Sequence, residues 1–230
     1  AEDLTFSSIL PIDASVRMAE RGCRMELGLC CTFHKEPIRF RTTTAKAQKA
    51  RSDSQRIETL RLLAAHNAAA LRAAIAFCHQ TGIAGFRINS QILPLKTHPQ
   101  LGYDTSLLGP EIERAFRDCG RLARQWGVRL SFHPDQFIVL SSPQESVVRN
   151  SLAEIEYQAE VAEWVGADVI NIHGGGAYGD KSAALTRFAD SVSQLSDRAR
   201  SRLTVENDDR LYSVADLLPL CEQLAIPLVY

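Results

Sequence analysis

The chain has 230 residues, of which 45% are hydrophobic and 23% are charged, and this is the composition of an ordinary globular protein. It excludes a disordered, collagenous or fibrous chain, and the length allows a substantial core without disulfide or metal staples. The formal net charge of −1 excludes a globally basic nucleic-acid coat, although a local basic surface could still bind phosphates.

Strand-like apolar runs alternate with helical patterns from residue 24 onward. This alternation predicts six strands, at residues 24–30, 83–88, 128–133, 167–173, 202–207 and 226–230. Five helices are predicted between them, at residues 53–80, 110–126, 146–165, 181–197 and 213–224. Their predicted start signals are Ser142 before the third helix, Asp180 before the fourth, and a capping box of Ser213 and Asp216 in the fifth.

Two architectures fit this alternation, an open doubly wound sheet and a (β/α)8 barrel. A nucleotide-binding open sheet carries a glycine-rich loop after its first strand, whereas this chain has Cys-Cys-Thr-Phe at 30–33. We therefore predict an α/β fold of the TIM (β/α)8 type, truncated after about six strands, since such barrels usually need about 250 residues. The barrel domain is expected to span residues 24–230, after an unassigned segment at 1–23.

The cysteines and the apolar runs bear on the location of the protein. Six cysteines form no CxxC pair and no zinc-knuckle spacing, which favours reduced thiols in a cytoplasmic protein. No apolar run reaches the roughly 18 to 20 residues of a membrane span, and residues 1–21 lack the apolar core of a signal peptide. We expect a cytoplasmic monomer without membrane association. Because the chain starts at Ala1 and stops within the apolar run 226–230, we also expect it to be a fragment.

Three consecutive predicted strands end in residues that can bind a metal. His133, His173 and Glu206 lie on the polar parity of their strands, and Asn171 and Thr204 share that face. Parallel barrels place their active sites at the carboxyl ends of the strands. A single strand-end histidine is more often a hydrogen-bonded rim residue, but the three together indicate a site for a divalent ion such as Zn²⁺ or Mn²⁺.

Other polar side chains could reach the same edge. His98 follows the second strand in a loop, and a surface histidine is the alternative interpretation. Lys181 follows the glycine run at 174–179 and could contact a phosphate, although a solvated lysine is the commoner case. Residues 35–56 hold seven basic side chains, which include Arg39 and Arg41, and two acidic ones. This composition suits phosphate contacts, with a solvated loop as the alternative.

Four separated motifs resemble those of the UV damage endonuclease family, and the likeness runs from about residue 24 to Tyr230. They are GFRINS at 85–90, LSFHPDQF at 130–137, NIHGG at 171–175 and LTVENDD at 203–209. The resemblance implies a metal-dependent barrel that nicks damaged double-stranded DNA immediately 5′ to UV photoproducts and leaves a 3′-hydroxyl. The photoproducts are cyclobutane dimers and 6-4 photoproducts. The resemblance also implies Mn²⁺ as the first expected cofactor, with Zn²⁺, Co²⁺ or Mg²⁺ as alternatives, and no nucleotide cofactor.

The resemblance also assigns roles to individual residues. His98, His133, His173 and Glu206 match family metal ligands, and Gln136 with Phe137 match the adjacent pair that probes the damaged site. Lys181, Arg39 and Arg41 are further candidates for contacts with DNA.

The sequence departs from the family pattern at several places. The family often has tyrosine where this chain has Phe137, and the aromatic residue expected near Leu29 is absent. Further metal-site positions of the family would follow Tyr230, so the activity of a chain that ends there is left open. Two other functions are kept: a metal-dependent sugar isomerase or epimerase of the same barrel class, and a non-catalytic damage-binding remnant.

Overall fold

A computed structural model of the protein describes residues 9–10, 26–208 and 210–230. The start of the first predicted strand (Arg24 and Met25), nearly all of the segment 1–23 and Asp209 lie outside the described residues. All six predicted strands are confirmed, each shorter than predicted, and the short β1 was not predicted. The strands are β1 (Ile9–Leu10), β2 (Gly28–Leu29), β3 (Gly85–Ile88), β4 (Arg129–Phe132), β5 (Val169–His173), β6 (Leu203–Glu206) and β7 (Leu228–Val229).

The five predicted helices are present, but the fourth is interrupted and forms two separate helices, α5 and α6, which the sequence pattern did not predict. The helices are α1 (Ala45–Lys49), α2 (Asp53–Thr81), α3 (Pro110–Trp126), α4 (Glu145–Val165), α5 (Lys181–Val192), α6 (Asp197–Arg200) and α7 (Val214–Leu224), with a 3-10 turn at Thr105–Leu108. The predicted helix 181–197 is therefore wrong at residues 193–196, between α5 and α6. Ser196 caps α6 and also donates two hydrogen bonds to the Glu156 carboxylate, 40 residues away, which accounts for the break.

The helix starts illustrate how local sequence specifies local structure. Asp180 caps α5 through a 3.0 Å hydrogen bond from the Ala183 amide, and Ser213 forms the predicted capping box of α7 with Asp216. Helix α4 begins at Glu145, one residue before its predicted start, but the predicted N-cap is wrong: Ser142 lies three residues before the helix and accepts a hydrogen bond from the Gln144 amide.

Two compact units make up the chain. The first unit contains His133–Glu160 and Val169–Tyr230, and in it β5, β6 and β7 are parallel neighbours with β6 in the middle. The strand β1 pairs antiparallel with β7. In the register of β5 and β6, His173 lies opposite Glu206, and Asn171 lies opposite Thr204. Polar residues of two strands are thus aligned on the same rungs.

The second unit contains Leu27–Phe132 and Val161–Asp168, with β3 between β2 and β4 in a parallel arrangement. Helix α2 turns a face of small and aliphatic side chains inward at helical spacing, including the buried Leu60, Leu71 and Ile75. Asn67 is also buried on this helix. Its amide side chain is satisfied there, because it accepts a hydrogen bond from the Arg41 amide and donates to the Arg41 and Ile92 carbonyls. Among the described residues, no helix is long and apolar enough to cross a membrane.

Candidate metal centre

The three strand-end residues identified in the sequence meet within the first unit. One potential ligand atom from each of His133, His173 and Glu206 lies within 4.8 Å of the others. Nε2 of His133 is 3.0 Å from Oε1 of Glu206, and Nδ1 of His173 is 3.2 Å from the same oxygen. In the described part of the chain this is the one group of three or more such side chains close enough to hold a metal ion.

The position of this cluster follows from strand geometry. His173 and Glu206 end neighbouring parallel strands in the same register, so their side chains project side by side on one face. His133 follows directly after β4. Each residue therefore stands on a regular strand or at its end, where backbone hydrogen bonds limit its movement.

A short chain of hydrogen bonds holds the Glu206 carboxylate in place. The Thr204 hydroxyl donates to Oδ1 of Asn171 at 2.8 Å, and Nδ2 of Asn171 donates to Oε2 of Glu206. Asn171 and Thr204 are buried, so this chain is shielded from competing water. Oε2 is thereby engaged by the amide, and Oε1 is left facing the two imidazoles.

His133 is oriented by its own backbone neighbour. Its Nδ1 is 3.0 Å from the Pro134 carbonyl oxygen, which can only accept a hydrogen bond, so Nδ1 carries the hydrogen. In the neutral ring, Nε2 then directs its lone pair at a carboxylate oxygen of Glu206. The 3.0 Å contact is bridged either by a proton, with Nε2–H donating to the carboxylate, or by a metal ion, so its geometry is compatible with metal binding.

The electrostatics of the cluster favour an ionised carboxylate. Burial raises the pKa of Glu206, but the hydrogen bond and charge of His133, the charge of His173 and the Asn171 amide outweigh burial and hold that pKa below its ordinary value. The His133 side chain is 16% exposed and the His173 side chain 41% exposed. The open side of the cluster is therefore the His173 side.

The structure places the predicted lesion-probing pair on the loop that follows His133. Gln136 and Phe137 are both exposed, and the Phe137 side chain reaches 73% exposure. The loop turns here because the Phe137 amide donates to Oδ1 of Asp135 at 3.2 Å. A large apolar ring is thus presented to solvent close in the chain to a candidate metal ligand.

The predicted phosphate contact at Lys181 already has partners in the first unit. Its Nζ lies 3.1 Å from Oδ2 of Asp216 and 5.6 Å from the centre of the Tyr212 ring. A phosphate would have to compete with this ion pair. The role of Lys181 in DNA binding remains a prediction.

His98 belongs to the second unit and is not a member of the three-residue cluster. Its Nδ1 accepts hydrogen bonds from the amides of Gln100 and Leu101, at 3.1 and 3.2 Å. The ring therefore stabilises the turn that contains it, and its role as a metal ligand remains a prediction.

Two arginines of the basic segment differ in what their side chains contact. The Arg39 guanidinium donates to the carbonyls of Phe33, Glu36 and Ile38, at 2.8, 2.6 and 2.9 Å, and so folds its own loop. Arg41 is exposed, and Asn67 fixes its backbone at both the amide and the carbonyl. Of the two, Arg41 is the better placed to present its charge to a ligand.

The glycine run after His173 lies against the segment that follows Gln136 and Phe137. Gly175 has a φ of +83°, and a Cβ atom there would clash with Oγ of Ser141 and lie 2.9 Å from Cγ1 of Val139. The Ser141 hydroxyl donates to the Gly176 carbonyl at 3.1 Å. The small residues therefore permit a close approach of the two backbone segments.

Sequence reasoning named Asn171 and Thr204 only as neighbours on the polar face. The structure shows that they form the hydrogen-bonded support of Glu206. Their shared strand parity with His173 and Glu206 was the signal, but parity cannot reveal which side chains are in hydrogen-bonding distance.

Comparison with known proteins connects this geometry to a family. A family model described as UV-endonuclease UvdE matches residues 25–230. The UV DNA damage endonuclease of Bacillus velezensis is 40% identical over 152 residues, which cover 65% of this chain and 47% of that protein. The UV DNA damage endonuclease of a Nostoc species is 32% identical over 227 residues, which cover 96% of this chain and 67% of that protein. The chain thus spans about half the length of the Bacillus relatives it matches.

A solved structure confirms the predicted fold class. The crystal structure of SacUVDE matches 89% of this chain and 68% of its own, with a TM-score of 0.79 and 28% sequence identity. The fold is α/β, of the TIM-barrel type, with six parallel strands among the described residues.

Proposed function

Because the chain belongs to the UV-endonuclease UvdE family, we propose that it acts as a metal-dependent DNA repair endonuclease that nicks damaged duplex DNA 5′ to UV photoproducts. The single observation that carries the metal dependence is the convergence of His133, His173 and Glu206 at the ends of three strands. The proposal includes double-stranded DNA as the partner, Mn²⁺ as the first cofactor to test, a monomeric state and a cytoplasmic location.

The donor set supports a divalent ion. Two imidazole nitrogens and one carboxylate oxygen are the ligand types that Mn²⁺, Zn²⁺ and Co²⁺ accept, and the three atoms already lie close enough to share one ion. His133, His173 and Glu206 would hold the ion, and His98 is a further candidate ligand from the family pattern. A bound divalent ion would supply activation of water and neutralise charge on the phosphodiester.

The residues of the chain have separate tasks in this proposal. Asn171 and Thr204 keep the Glu206 carboxylate in one orientation, and the Pro134 carbonyl fixes the His133 ring so that Nε2 faces the site. The exposed side of His173 leaves room for a phosphate group. Rigid support of this kind reduces the reorganisation needed when the substrate arrives.

Selection of damaged DNA would depend on the cost of deforming the duplex. A photoproduct weakens stacking and pairing, so extruding the damaged nucleotides costs less there than in intact DNA. Phe137 is largely exposed and could occupy the space that the extruded bases leave, beside Gln136. An apolar side chain that wedges into a weakened base step needs no sequence-specific contact.

A nicking assay with two histidine variants tests the proposal. The wild-type protein, a His133→Ala variant and a His79→Ala variant are each incubated with UV-irradiated and intact end-labelled duplexes in Mn²⁺, and the products are mapped on a sequencing gel. His79 is an exposed histidine that stacks on Trp126 in the second unit, which makes it a matched control. We expect one nick 5′ to each photoproduct with the wild type and with His79→Ala, and none with His133→Ala.

Other results of this assay would contradict the proposal in distinct ways. Equal cleavage of irradiated and intact duplexes would refute damage selection, and cleavage by His133→Ala would refute the metal cluster as the source of activity. Tight binding of irradiated DNA without any nick would favour the damage-binding alternative.

A further inference from the structure

Each of the three candidate metal ligands is followed by a loop that exposes one large apolar side chain. Phe137 comes four residues after His133, Tyr178 five residues after His173, and Leu211 five residues after Glu206. These three side chains are exposed by 73%, 53% and 42%. All three belong to the first unit, and each lies within five residues of a candidate metal ligand along the chain.

Tyr178 is the most unusual of the three in its backbone. Its φ is +52°, in the left-handed region that tyrosine rarely adopts, whereas its glycine neighbours Gly175 and Gly179 adopt this region without cost. A strained residue persists only where surrounding contacts impose the conformation, and such residues concentrate at functional sites.

The loop that carries Tyr178 is held by hydrogen bonds that leave the exposed part of the ring untouched. The Gly176 carbonyl accepts hydrogen bonds from Ser141 and, at 3.4 Å, from the Tyr212 hydroxyl. The Arg187 side chain donates from Nε to the Ser141 carbonyl, and its guanidinium lies 5.8 Å from the centre of the Tyr178 ring. A Cβ atom at Gly176 would lie 2.9 Å from Cε2 of the ring, so the ring is flanked by this backbone and by a cation, and 53% of Tyr178 remains exposed.

The loops that carry Phe137 and Tyr178 also touch each other. A Cβ atom at Gly175 would collide with Ser141 and lie close to Val139, so the segment after Phe137 lies directly against the loop that presents Tyr178. Two exposed aromatic rings therefore stand on adjoining loops, each leading away from a histidine of the metal cluster.

We propose that Tyr178 is a DNA-contacting residue on which an unstacked nucleobase at the damaged site stacks. This inference rests on the proposed function, and it adds a second aromatic surface to the one at Phe137. Stacking on an aromatic face tolerates any base, which suits a site that must accept damage in many sequences. The positive charge of Arg187 behind the ring strengthens the attraction for an anionic strand.

Two substitutions separate the ring from the backbone conformation. Tyr178→Asn removes the aromatic face but keeps a residue that tolerates the left-handed region, whereas Tyr178→Phe keeps the face and removes only the hydroxyl. Binding of the full chain to UV-irradiated and intact duplexes is measured by fluorescence anisotropy without added metal, so that cleavage plays no part. We expect Tyr178→Asn to bind the irradiated duplex roughly tenfold more weakly, and Tyr178→Phe to bind within about twofold of wild type.

A spectroscopic measurement distinguishes stacking from a structural role of the loop. 2-Aminopurine is placed opposite the photoproduct, and its fluorescence is quenched when the base stacks on an aromatic ring. We expect quenching with wild type and Tyr178→Phe and its loss with Tyr178→Asn, while the Mn²⁺ affinity and melting temperature stay the same in all three proteins.

The outcomes separate this inference from the proposed function. If wild type prefers irradiated DNA and Tyr178→Asn keeps that preference and the quenching, the inference is overturned and the proposed function stands. If wild type shows no preference for irradiated DNA, both fail. If Tyr178→Phe is as defective as Tyr178→Asn, the hydroxyl and not the ring is responsible, and stacking is refuted.

Discussion

At the scale of single residues, the candidate metal centre depends on how its carboxylate is held. Glu206 is approached by two imidazoles at one oxygen and by an amide at the other. The amide belongs to Asn171, whose own oxygen is engaged by Thr204. Because these hydrogen bonds link Thr204, Asn171 and Glu206 in series, the carboxylate has one preferred orientation before a metal arrives.

Replacing Asn171 tests this support directly. We expect Asn171→Ala to lower the affinity for Mn²⁺ by about 10- to 100-fold, since the Glu206 carboxylate then loses the donor that orients it. Isothermal titration calorimetry with Mn²⁺ measures the change. Asn150→Ala, on the exposed side of α4, serves as the control and should bind like wild type. An unchanged affinity in Asn171→Ala would show that Glu206 needs no such support.

At the scale of secondary-structure elements, close approach and capping decide where helices lie and how they begin. Gly120 lies inside α3, where a glycine usually weakens a helix relative to alanine. Here a Cβ atom would lie 2.6 Å from the carbonyl carbon of Val165, the last residue of α4. The missing side chain therefore allows α3 to pack against the end of α4.

Gly120→Ala should consequently destabilise the protein despite the better helix propensity of alanine. We expect a loss of about 1–3 kcal/mol in the free energy of unfolding, because the backbone of α4 must shift to make room. Urea denaturation measures it. Gly82→Ala is a comparison in which the added Cβ meets no atom and only the left-handed φ of +73° is unfavourable, at roughly 1 to 2 kcal/mol. A gain in stability for Gly120→Ala would contradict the close packing.

The start of α7 gives the chain a pH-dependent element. Hydrogen bonds from the Ser213 amide and hydroxyl, together with the Lys181 ammonium, lower the pKa of Asp216 from 3.8 to about 2. Since the folded pKa is the lower one, the carboxylate stabilises the folded state fully above about pH 4, and this stabilisation is lost as the pH falls toward 2.

Comparing wild type with Asp216→Asn isolates this contribution. We expect wild type to have the higher urea midpoint at pH 5 and the difference between the two proteins to shrink steadily as the pH falls from 4 to 2. Both proteins share every other titrating group, so only the difference between their midpoints is interpreted. A difference that stays constant with pH would mean that the charge of Asp216 does not support the cap.

At the scale of the whole molecule, the charge is balanced and any affinity for DNA must come from local surfaces. The net charge is −1, while residues 35–56 have an excess of five positive charges. Some of these basic side chains already have partners within the protein. The Arg39 guanidinium, for example, donates hydrogen bonds to carbonyls of its own loop. Binding carried by a few phosphate contacts weakens steeply with salt.

Arg39 and Arg41 therefore predict different phenotypes. Arg41→Ala should reduce the slope of log K against log salt for duplex DNA by about 1, as expected for the loss of one phosphate contact, and should leave stability unchanged. Arg39→Ala should instead lower the free energy of unfolding by about 1 kcal/mol, because the carbonyls of its own loop lose a charged donor that water replaces only in part. Anisotropy titrations at several salt concentrations and urea denaturation measure the two effects. The same salt slope in wild type and Arg41→Ala would remove Arg41 from the interface.

Much of the fold and the centre of the candidate site were determined by the sequence alone. Strand and helix positions follow from the period of apolar residues, which each segment carries by itself. The shared polar parity of His133, His173 and Glu206 is equally local, because side chains alternate along any strand. The helix caps at Asp180 and Ser213 were also predictable, because each capping side chain and the amide that it binds are only three residues apart.

Tertiary structure decided whatever depends on residues distant in the chain. The break between α5 and α6 involves Glu156, the ion pair of Lys181 involves Asp216, and the Gly176 carbonyl in the Tyr178 loop is held by Ser141 and Tyr212. Thirty-four or more residues separate the members of each of these interactions along the chain. Sequence patterns report what one segment prefers, whereas hydrogen bonds and ion pairs between segments exist only after the strands have aligned and brought their loops together.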